Sequence, residues 1–207
     1  NENVGHEFMK RARELTSQHG SALIFDQILT GFRLGRGGAQ EYFNVVPDLT
    51  TYGKAIANGF PLAVVGGKRE FMKMFDRVMI TTTHAGETLS IAAGLATLNV
   101  LESEPVFEHI WTMGKLLQDG FNNVRSAASL QARSNGVPPA VLVRFSSDPS
   151  RDDVLRTQFL VDLLQVGFVP SSPFMMKYAH KEPDVEQTLS AMKKALARME
   201  STGVAAS

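Results

Sequence analysis

The feature that most constrains the fold is the apolar run Ala22–Phe25, which closely follows a helical segment and ends at Asp26. Residues 3–18 carry apolar side chains at helical spacing and charged side chains on the other faces, which predicts an amphipathic helix. Gly20 is suited to end that helix. A helix followed by an all-apolar, buried strand is typical of an α/β unit with a parallel sheet. Ligands of such sheets bind beyond the carboxyl ends of the strands, where Asp26 is placed.

A lysine follows a second segment that favours a strand. Residues 49–52 carry the chain to Gly53, and Lys54 comes next. An amine at one strand end and a carboxylate at another are the pair that a pyridoxal phosphate (PLP) site needs. The lysine forms a Schiff base with the cofactor aldehyde, and the aspartate keeps the pyridine nitrogen protonated. Taken alone, the spacing favours an ordinary surface lysine for Lys54, and a helix cap or turn residue for Asp26.

Longer segments carry a specific resemblance. Residues 23–33 (LIFDQILTGFR), 47–54 (PDLTTYGK) and 83–90 (THAGETLS) resemble, in the same order, three segments of the class III aminotransferases. Residues 37–40 (GGAQ) also resemble the branch that contains the glutamate-1-semialdehyde aminomutases. The similarity extends over nearly the whole chain.

The resemblance implies an α/β fold, that of the fold-type I PLP-dependent transferases. In this family a large domain with a mostly parallel sheet is followed by a small α+β domain. We expect residues 1–104 to form the second half of the PLP-binding large domain. We expect residues 105–207 to form the interdomain helix and the C-terminal small domain.

The resemblance also implies roles for four residues. Lys54 carries the cofactor and shuttles the proton, and Asp26 pairs with the pyridine nitrogen. Ile28 packs on one face of the cofactor ring, and Thr83 reaches the phosphate of a cofactor bound in the neighbouring subunit. The last role makes a homodimer part of the mechanism. Judged without the resemblance, Ile28 is an ordinary core aliphatic residue and Thr83 belongs to an ordinary N-cap cluster.

The implied activity is transfer of an amino group between a small-molecule donor and an acceptor, by a transaminase or a 2,1-aminomutase. Two departures favour an alternative, a non-catalytic half-enzyme or dimerisation partner without a complete cofactor site. Gln27 stands where the family usually has glutamate. The resemblance also begins in the middle of the family's chain, so we expect a fragment that lacks the loop holding much of the phosphate.

A long helix is predicted from about residue 88 to 102. It is rich in alanine, leucine and isoleucine, so we expect it to be largely buried. The hydroxyl groups of residues 81–83 come just before it. Together with free backbone N–H groups at the helix entrance, they predict a phosphate seat.

Composition argues against several classes of partner. Lysine plus arginine and aspartate plus glutamate both number 21, so no overall basic charge attracts nucleic acid or an anionic membrane. Cysteine is absent, which excludes disulfides and thiolate metal sites. No apolar run approaches the roughly 20 residues that span a bilayer. Cytoplasm is the default expectation for location.

Other site motifs fail on spacing. No G-x-G-x-x-G follows the first strand, which argues against a dinucleotide site. Gly67-Lys68 does not form a P-loop, because Leu62 occupies the first glycine position and Arg69 replaces the serine or threonine. The five histidines are scattered without metal-ligand spacing, so we expect no metal.

Overall fold

The computed structural model describes residues 5–79, 83–125 and 131–202. These residues divide between Phe107 and Glu108 into two compact units. The helices are α1 His6–Gln18, α2 Gly38–Phe43, α3 Arg69–Met72, α4 Thr88–Ser103, α5 Val106–Arg125, α6 Pro149–Gln165 and α7 Glu182–Ser201. The strands are β1 Ile24–Gln27, β2 Leu49–Tyr52, β3 Val64–Gly67, β4 Arg133–Asn135, β5 Ala140–Arg144 and β6 Phe174–Met175. Two 3₁₀ turns cover Lys54–Ala57 and Lys73–Asp76.

The first unit contains a mixed three-stranded sheet in the order β1-β2-β3. β1 and β2 are parallel, as the α/β pattern predicts, whereas β3 runs antiparallel to β2. Beneath this sheet lies a small core of Phe25, Ala39 and Val45.

The first strand differs from its prediction. It begins at Ile24, two residues later than expected, so Asp26 lies within it. Phe25 and Gln27 are buried, but Ile24 and Asp26 are exposed. The expectation of an all-buried strand is therefore wrong, because the described residues cover only one face of β1.

Asp48, just before β2, binds residues from three separate segments of the first unit. Its side chain is 5% exposed and accepts hydrogen bonds from Leu23 N at 2.7 Å and Arg13 Nη1 at 2.8 Å. Lys68 Nζ lies 2.6 Å from its other oxygen. The Leu23 and Lys68 bonds, joined by that of Arg13, outweigh the effect of burial and hold the pKa of Asp48 well below its usual range. One carboxylate thus connects α1, the entry to β1 and the end of β3.

We expect Asp48→Asn to lower the free energy of unfolding by about 3 kcal/mol, because it removes the anionic partner of two cations. A carboxylate with a lowered folded-state pKa stabilises the protein above its unfolded pKa of about 3.9, and the gain is lost as pH falls below that value. The difference between wild type and variant should therefore stay constant above about pH 5 and shrink below about pH 4. Urea unfolding across this pH range measures it.

Asp119→Asn is the matched control. Asp119 pairs with Lys115 on the surface of α5, where both side chains are more than half exposed. Such a pair contributes about 0.5 kcal/mol or less. Equal losses for the Asp48 and Asp119 variants would contradict the assignment of Asp48 as the connection between these elements.

The second unit is α+β. Strands β4, β5 and β6 form an antiparallel sheet, and α6 and α7 pack against each other. Its core contains Phe121, Phe159, Leu163 and Met192, each fully enclosed. The fold class predicted from sequence is thus confirmed in both units.

Helix α4 differs from its prediction. Its apolar residues surround the whole helix, yet only Ser90 and Gly94 are buried. Leu89 is 61% exposed and Leu95 is 59% exposed. The expectation of a largely buried helix is wrong for the described residues, because they cover one side of it only. Within the described ranges, no helix combines the length and apolar character needed to cross a membrane.

Candidate active site

The parallel pairing of β1 and β2 brings two predicted site segments to one edge of the sheet. Asp26 is in register with Thr51, and Gln27 with Tyr52. Lys54 follows Tyr52 by two residues and opens a 3₁₀ turn. Because parallel strands end at the same edge, the Asp26 carboxylate and the Lys54 backbone lie on the same side of the unit.

The Asp26 carboxylate is held at one oxygen and open at the other. Its Oδ1 accepts hydrogen bonds from Ile28 N at 3.0 Å and from Thr51 Oγ1 at 3.2 Å. Asp26 is exposed, and its Oδ2 has no hydrogen-bond partner among the described residues. The carboxylate is therefore oriented by its neighbours while one oxygen remains available to an N–H donor on a ligand.

Lys54 presents an amine that no neighbour engages. The side chain is exposed and, within the described ranges, forms no ion pair or hydrogen bond. Its backbone has φ of 45°, a left-handed conformation that is uncommon outside glycine. Strained backbone of this kind concentrates at functional sites. The turn redirects the chain just after β2 and places Lys54 two residues beyond the last residue of the strand.

Ile28 packs against Gly53, the residue before Lys54. A Cβ atom on the buried Gly53 would lie 3.2 Å from Ile28 Cγ2, so the glycine allows this side chain close to the backbone that precedes Lys54. Ile28 is 37% exposed and offers an open aliphatic surface. Asp26, Ile28 and Lys54 are therefore gathered at one edge.

Thr83 is separate from this group in its contacts. It is exposed, lies in the turn before α4 and forms no hydrogen bond with the described residues. Helix α4 itself packs against the Lys54–Ala57 turn, with Gly94 close to Ile56. A Cβ atom on Gly94 would lie 2.8 Å from a methyl carbon of Leu62, so a larger residue here would require the Leu62 side chain to shift.

The entrance of α4 is not the open phosphate seat that the sequence predicts. Glu87 accepts hydrogen bonds from Leu89 N at 2.8 Å and Ser90 N at 2.7 Å. Hydrogen bonds from Ser90 and Leu89 hold the pKa of Glu87 below its usual range, which keeps the cap anionic. The helix's own carboxylate therefore occupies two of the N–H groups at this entrance. Thr81 and Thr82, which belong to the same predicted seat, lie outside the described residues.

Sequence reasoning missed two side chains that organise the site. Thr51 donates a hydrogen bond to Asp26, and the pairing of β1 with β2 places it directly opposite Asp26, so a predicted strand register could have identified it. Gln27 differs from the glutamate that is usual in the family, but its burial cannot be predicted from the sequence.

The candidate site lies apart from two hollows in the described residues. A hollow of about 870 Å³ lies between Lys68 and Arg77, and one of about 790 Å³ lies in the second unit between Leu117 and Thr188. Neither includes Asp26 or Lys54. Chemistry locates the candidate site better than size here, because the strand edge combines an amine and an oriented carboxylate, which PLP needs.

Known structures share this fold. The FumI protein of Sphingopyxis sp. MTA144, solved in a PLP form, matches with a TM-score of 0.87 at 23% identity, over 96% of this chain and 48% of that one. An omega-transaminase from Sphaerobacter thermophilus matches with a TM-score of 0.83 at 26% identity, over 94% of this chain and 48% of that one. The chain thus has the fold of the type I PLP-dependent transaminases.

Sequence comparison identifies the family within this fold. A profile of the class-III aminotransferases matches residues 3–196, and the chain belongs to this family. It is similar to the glutamate-1-semialdehyde 2,1-aminomutase of Methanococcoides burtonii, at 39% identity over 89% of this chain and 47% of the relative. It is also similar to that of Thermomicrobium roseum, at 37% identity over 93% and 48%. The chain spans about half the length of these curated relatives. The predicted family is confirmed.

Proposed function

We propose that this protein is a PLP-dependent enzyme that transfers an amino group, either as a transaminase or as a 2,1-aminomutase. The observation that carries the proposal is the gathering of Asp26, Ile28 and Lys54 at the carboxyl edge of β1 and β2. Among the described residues, the Lys54 amine and one Asp26 oxygen have no partner. Relatives named glutamate-1-semialdehyde 2,1-aminomutase and neighbours named transaminase support both forms of the reaction.

The residues present fit the cofactor. PLP needs an amine for its aldehyde, an anion for its ring nitrogen and apolar contact for its ring. Lys54 provides the amine, Asp26 Oδ2 provides an open anionic acceptor, and Ile28 provides an exposed aliphatic surface beside Gly53. When bound, PLP supplies an aldehyde that forms Schiff bases with amines and a ring that withdraws electrons from the adjacent bonds.

The chain's own residues then divide the work. Lys54 would provide the amine that holds the cofactor and, when free, a base that could move a proton. Asp26 would hold the ring nitrogen in its positively charged form through a charge-assisted hydrogen bond. Thr51 and the Ile28 backbone hold the carboxylate in place for that bond. Ile28 would offer the ring an apolar contact.

The proposal extends to the assembly and its domains. We place Asp26, Ile28 and Lys54 in the second half of a PLP-binding large domain, residues 1–104, and assign residues 105–207 to the interdomain helix and small domain. Thr83 is proposed to reach the phosphate of a cofactor in the neighbouring subunit of a homodimer. Its exposed hydroxyl, unengaged by the described residues, supports this role. The substrates are a small-molecule amino donor and acceptor, and the location is the cytoplasm.

The test is to trap the cofactor on the complete protein. We expect PLP to produce a visible absorption band, and borohydride reduction to fix a single adduct that peptide mass mapping assigns to Lys54. Lys54→Arg keeps the positive charge and should give no adduct, whereas Lys73→Ala, at another exposed lysine, should not change the result. Absence of an adduct at Lys54 in the wild-type protein would overturn the proposal and favour a non-catalytic partner.

A further inference from the structure

Gln27 directly follows Asp26 but points to the opposite, buried face of β1. Its side chain is 1% exposed. The amide Nε2 donates to Thr50 Oγ1 at 2.9 Å and to Tyr52 OH at 3.2 Å, and Oε1 accepts from Ala39 N at 2.7 Å. Both amide hydrogens and the carbonyl oxygen are therefore used, which is the arrangement that a buried amide requires.

These bonds connect three elements at the edge where the candidate site lies. Thr50 and Tyr52 belong to β2, and Ala39 lies in the first turn of α2. The fit to α2 is tight, because a Cβ atom on Gly38 would collide with Gln27 Oε1, and Gly38 itself has φ of 63°. The amide thus fixes the spacing between the two parallel strands and the helix behind them.

An apolar side chain of similar volume could fill this space without fixing it. A fully satisfied buried polar network instead selects one arrangement, since each bond depends on distance and direction. Side chains alternate across a strand, so a residue locked on the inner face fixes its neighbours on the outer face. Those neighbours are Asp26 and Ile28.

The charge of this side chain matters as well. Position 27 lies next to the carboxylate that is proposed to pair with the cofactor, and glutamine leaves Asp26 as the only carboxylate in β1. A buried anion at this point would favour the protonated form of any basic nitrogen nearby.

We propose that Gln27 is a positioning residue for the amino-transfer site. Its bonds to β2 and α2 hold Asp26 and Ile28 in place beside Lys54, and its neutral amide sets the charge behind Asp26. This inference rests on the proposed function of Asp26 and Lys54.

The test compares Gln27→Leu and Gln27→Glu with a matched control in the complete protein. Gln40→Leu replaces an amide on α2 whose side chain makes no hydrogen bond with the described residues. We expect Gln27→Leu to raise the Kd for PLP about tenfold or more and Gln40→Leu to leave it within about twofold, in line with the loss of about 1.4 kcal/mol per tenfold change. Asp48→Asn destabilises the first unit from the opposite end of β2 and controls for stability alone.

Gln27→Glu tests whether the charge at position 27 affects the cofactor, which a purely structural role of Gln27 would not predict. We expect the pH midpoint of the visible absorption change of the PLP-loaded protein to rise by about half a unit or more, because a new anion favours the protonated state. Asp48→Asn should leave the midpoint unchanged.

The results distinguish the positioning role of Gln27 from the proposed amino-transfer function. Suppose that the wild-type protein forms the adduct at Lys54, but the Gln27 variants have the same Kd for PLP and the same pH midpoint as Asp48→Asn. This result would overturn the positioning role and leave the proposed function intact. A wild-type protein without an adduct at Lys54 would overturn both.

Discussion

Replacing Lys54 with alanine is expected to reduce turnover about a thousandfold or more, which corresponds to about 4 kcal/mol of lost transition-state stabilisation. The variant loses both the amine that holds the cofactor and the base that moves the proton, and a covalent catalytic group has no substitute nearby. Within the described residues, Lys54 makes no ion pair, so its removal should leave folding unchanged. The measurement is kcat in the complete protein with PLP and an amino donor, alongside thermal unfolding.

Two further variants define this result. Lys54→Arg keeps the charge but is always protonated, so it should be as inactive as the alanine variant. Lys73→Ala removes an exposed lysine elsewhere in the first unit and should keep full turnover. Retained amino transfer in Lys54→Ala would exclude this lysine as the cofactor-bearing residue.

Asp26→Asn is expected to lower kcat about a hundredfold. A hydrogen bond to a charged group contributes up to about 3 kcal/mol, and about 2.7 kcal/mol corresponds to a factor of a hundred in rate. Asparagine has the same shape and can still accept the bonds from Ile28 N and Thr51 Oγ1, so the strand edge should keep its structure. The loss then reports on the charge alone. Steady-state kinetics with saturating PLP measure it.

Two comparisons make the Asp26 result interpretable. Asp119→Asn changes the same side chain on the surface of α5 and should leave kcat within about twofold, as expected for an exposed residue. Asp26→Glu keeps the charge on a longer arm and should retain more activity than Asp26→Asn. Equal activity in wild type and Asp26→Asn would show that this carboxylate does not act on the cofactor.

Much of the candidate site follows from the sequence because it depends on local order along two strands. An apolar run that ends in aspartate, and a second strand that ends in glycine and lysine, predict a carboxylate and an amine at one sheet edge. The parallel pairing of β1 and β2 brings Asp26 opposite Thr51 and places Lys54 just beyond. The cofactor assignment needed the family resemblance in addition, since an isolated lysine or aspartate has many ordinary roles.

Other features depend on contacts that no local pattern encodes. The burial of Gln27 arises from residues 12 to 25 positions away, including Ala39 N and Tyr52 OH. The cap of α4 depends on the rotamer of Glu87, which turns its carboxylate onto the helix's own N–H groups. The sequence draws attention to the threonines before this helix and not to Glu87, because glutamate is uncommon as an N-cap residue.

Burial was the least predictable property. Periodicity identifies a face that is able to be buried, whereas the structure shows whether anything covers it. β1 and α4 are both apolar enough for a protein interior, yet Ile24 and Leu95 are each more than half exposed. In α7, by contrast, Val185, Met192 and Leu196 recur at helical spacing and are buried.

The open surface of α4 has a consequence for the behaviour of this chain at high concentration. Leu89, Ile91, Leu95, Leu98 and Val100 all present apolar area to water. Exposed apolar side chains promote association and lower solubility. Copies of the chain on its own would therefore adhere to one another through α4, and the amount that remains dispersed would fall with added salts that strengthen apolar contacts. The colloidal stability of a preparation is thus a direct indication of whether this helix is covered.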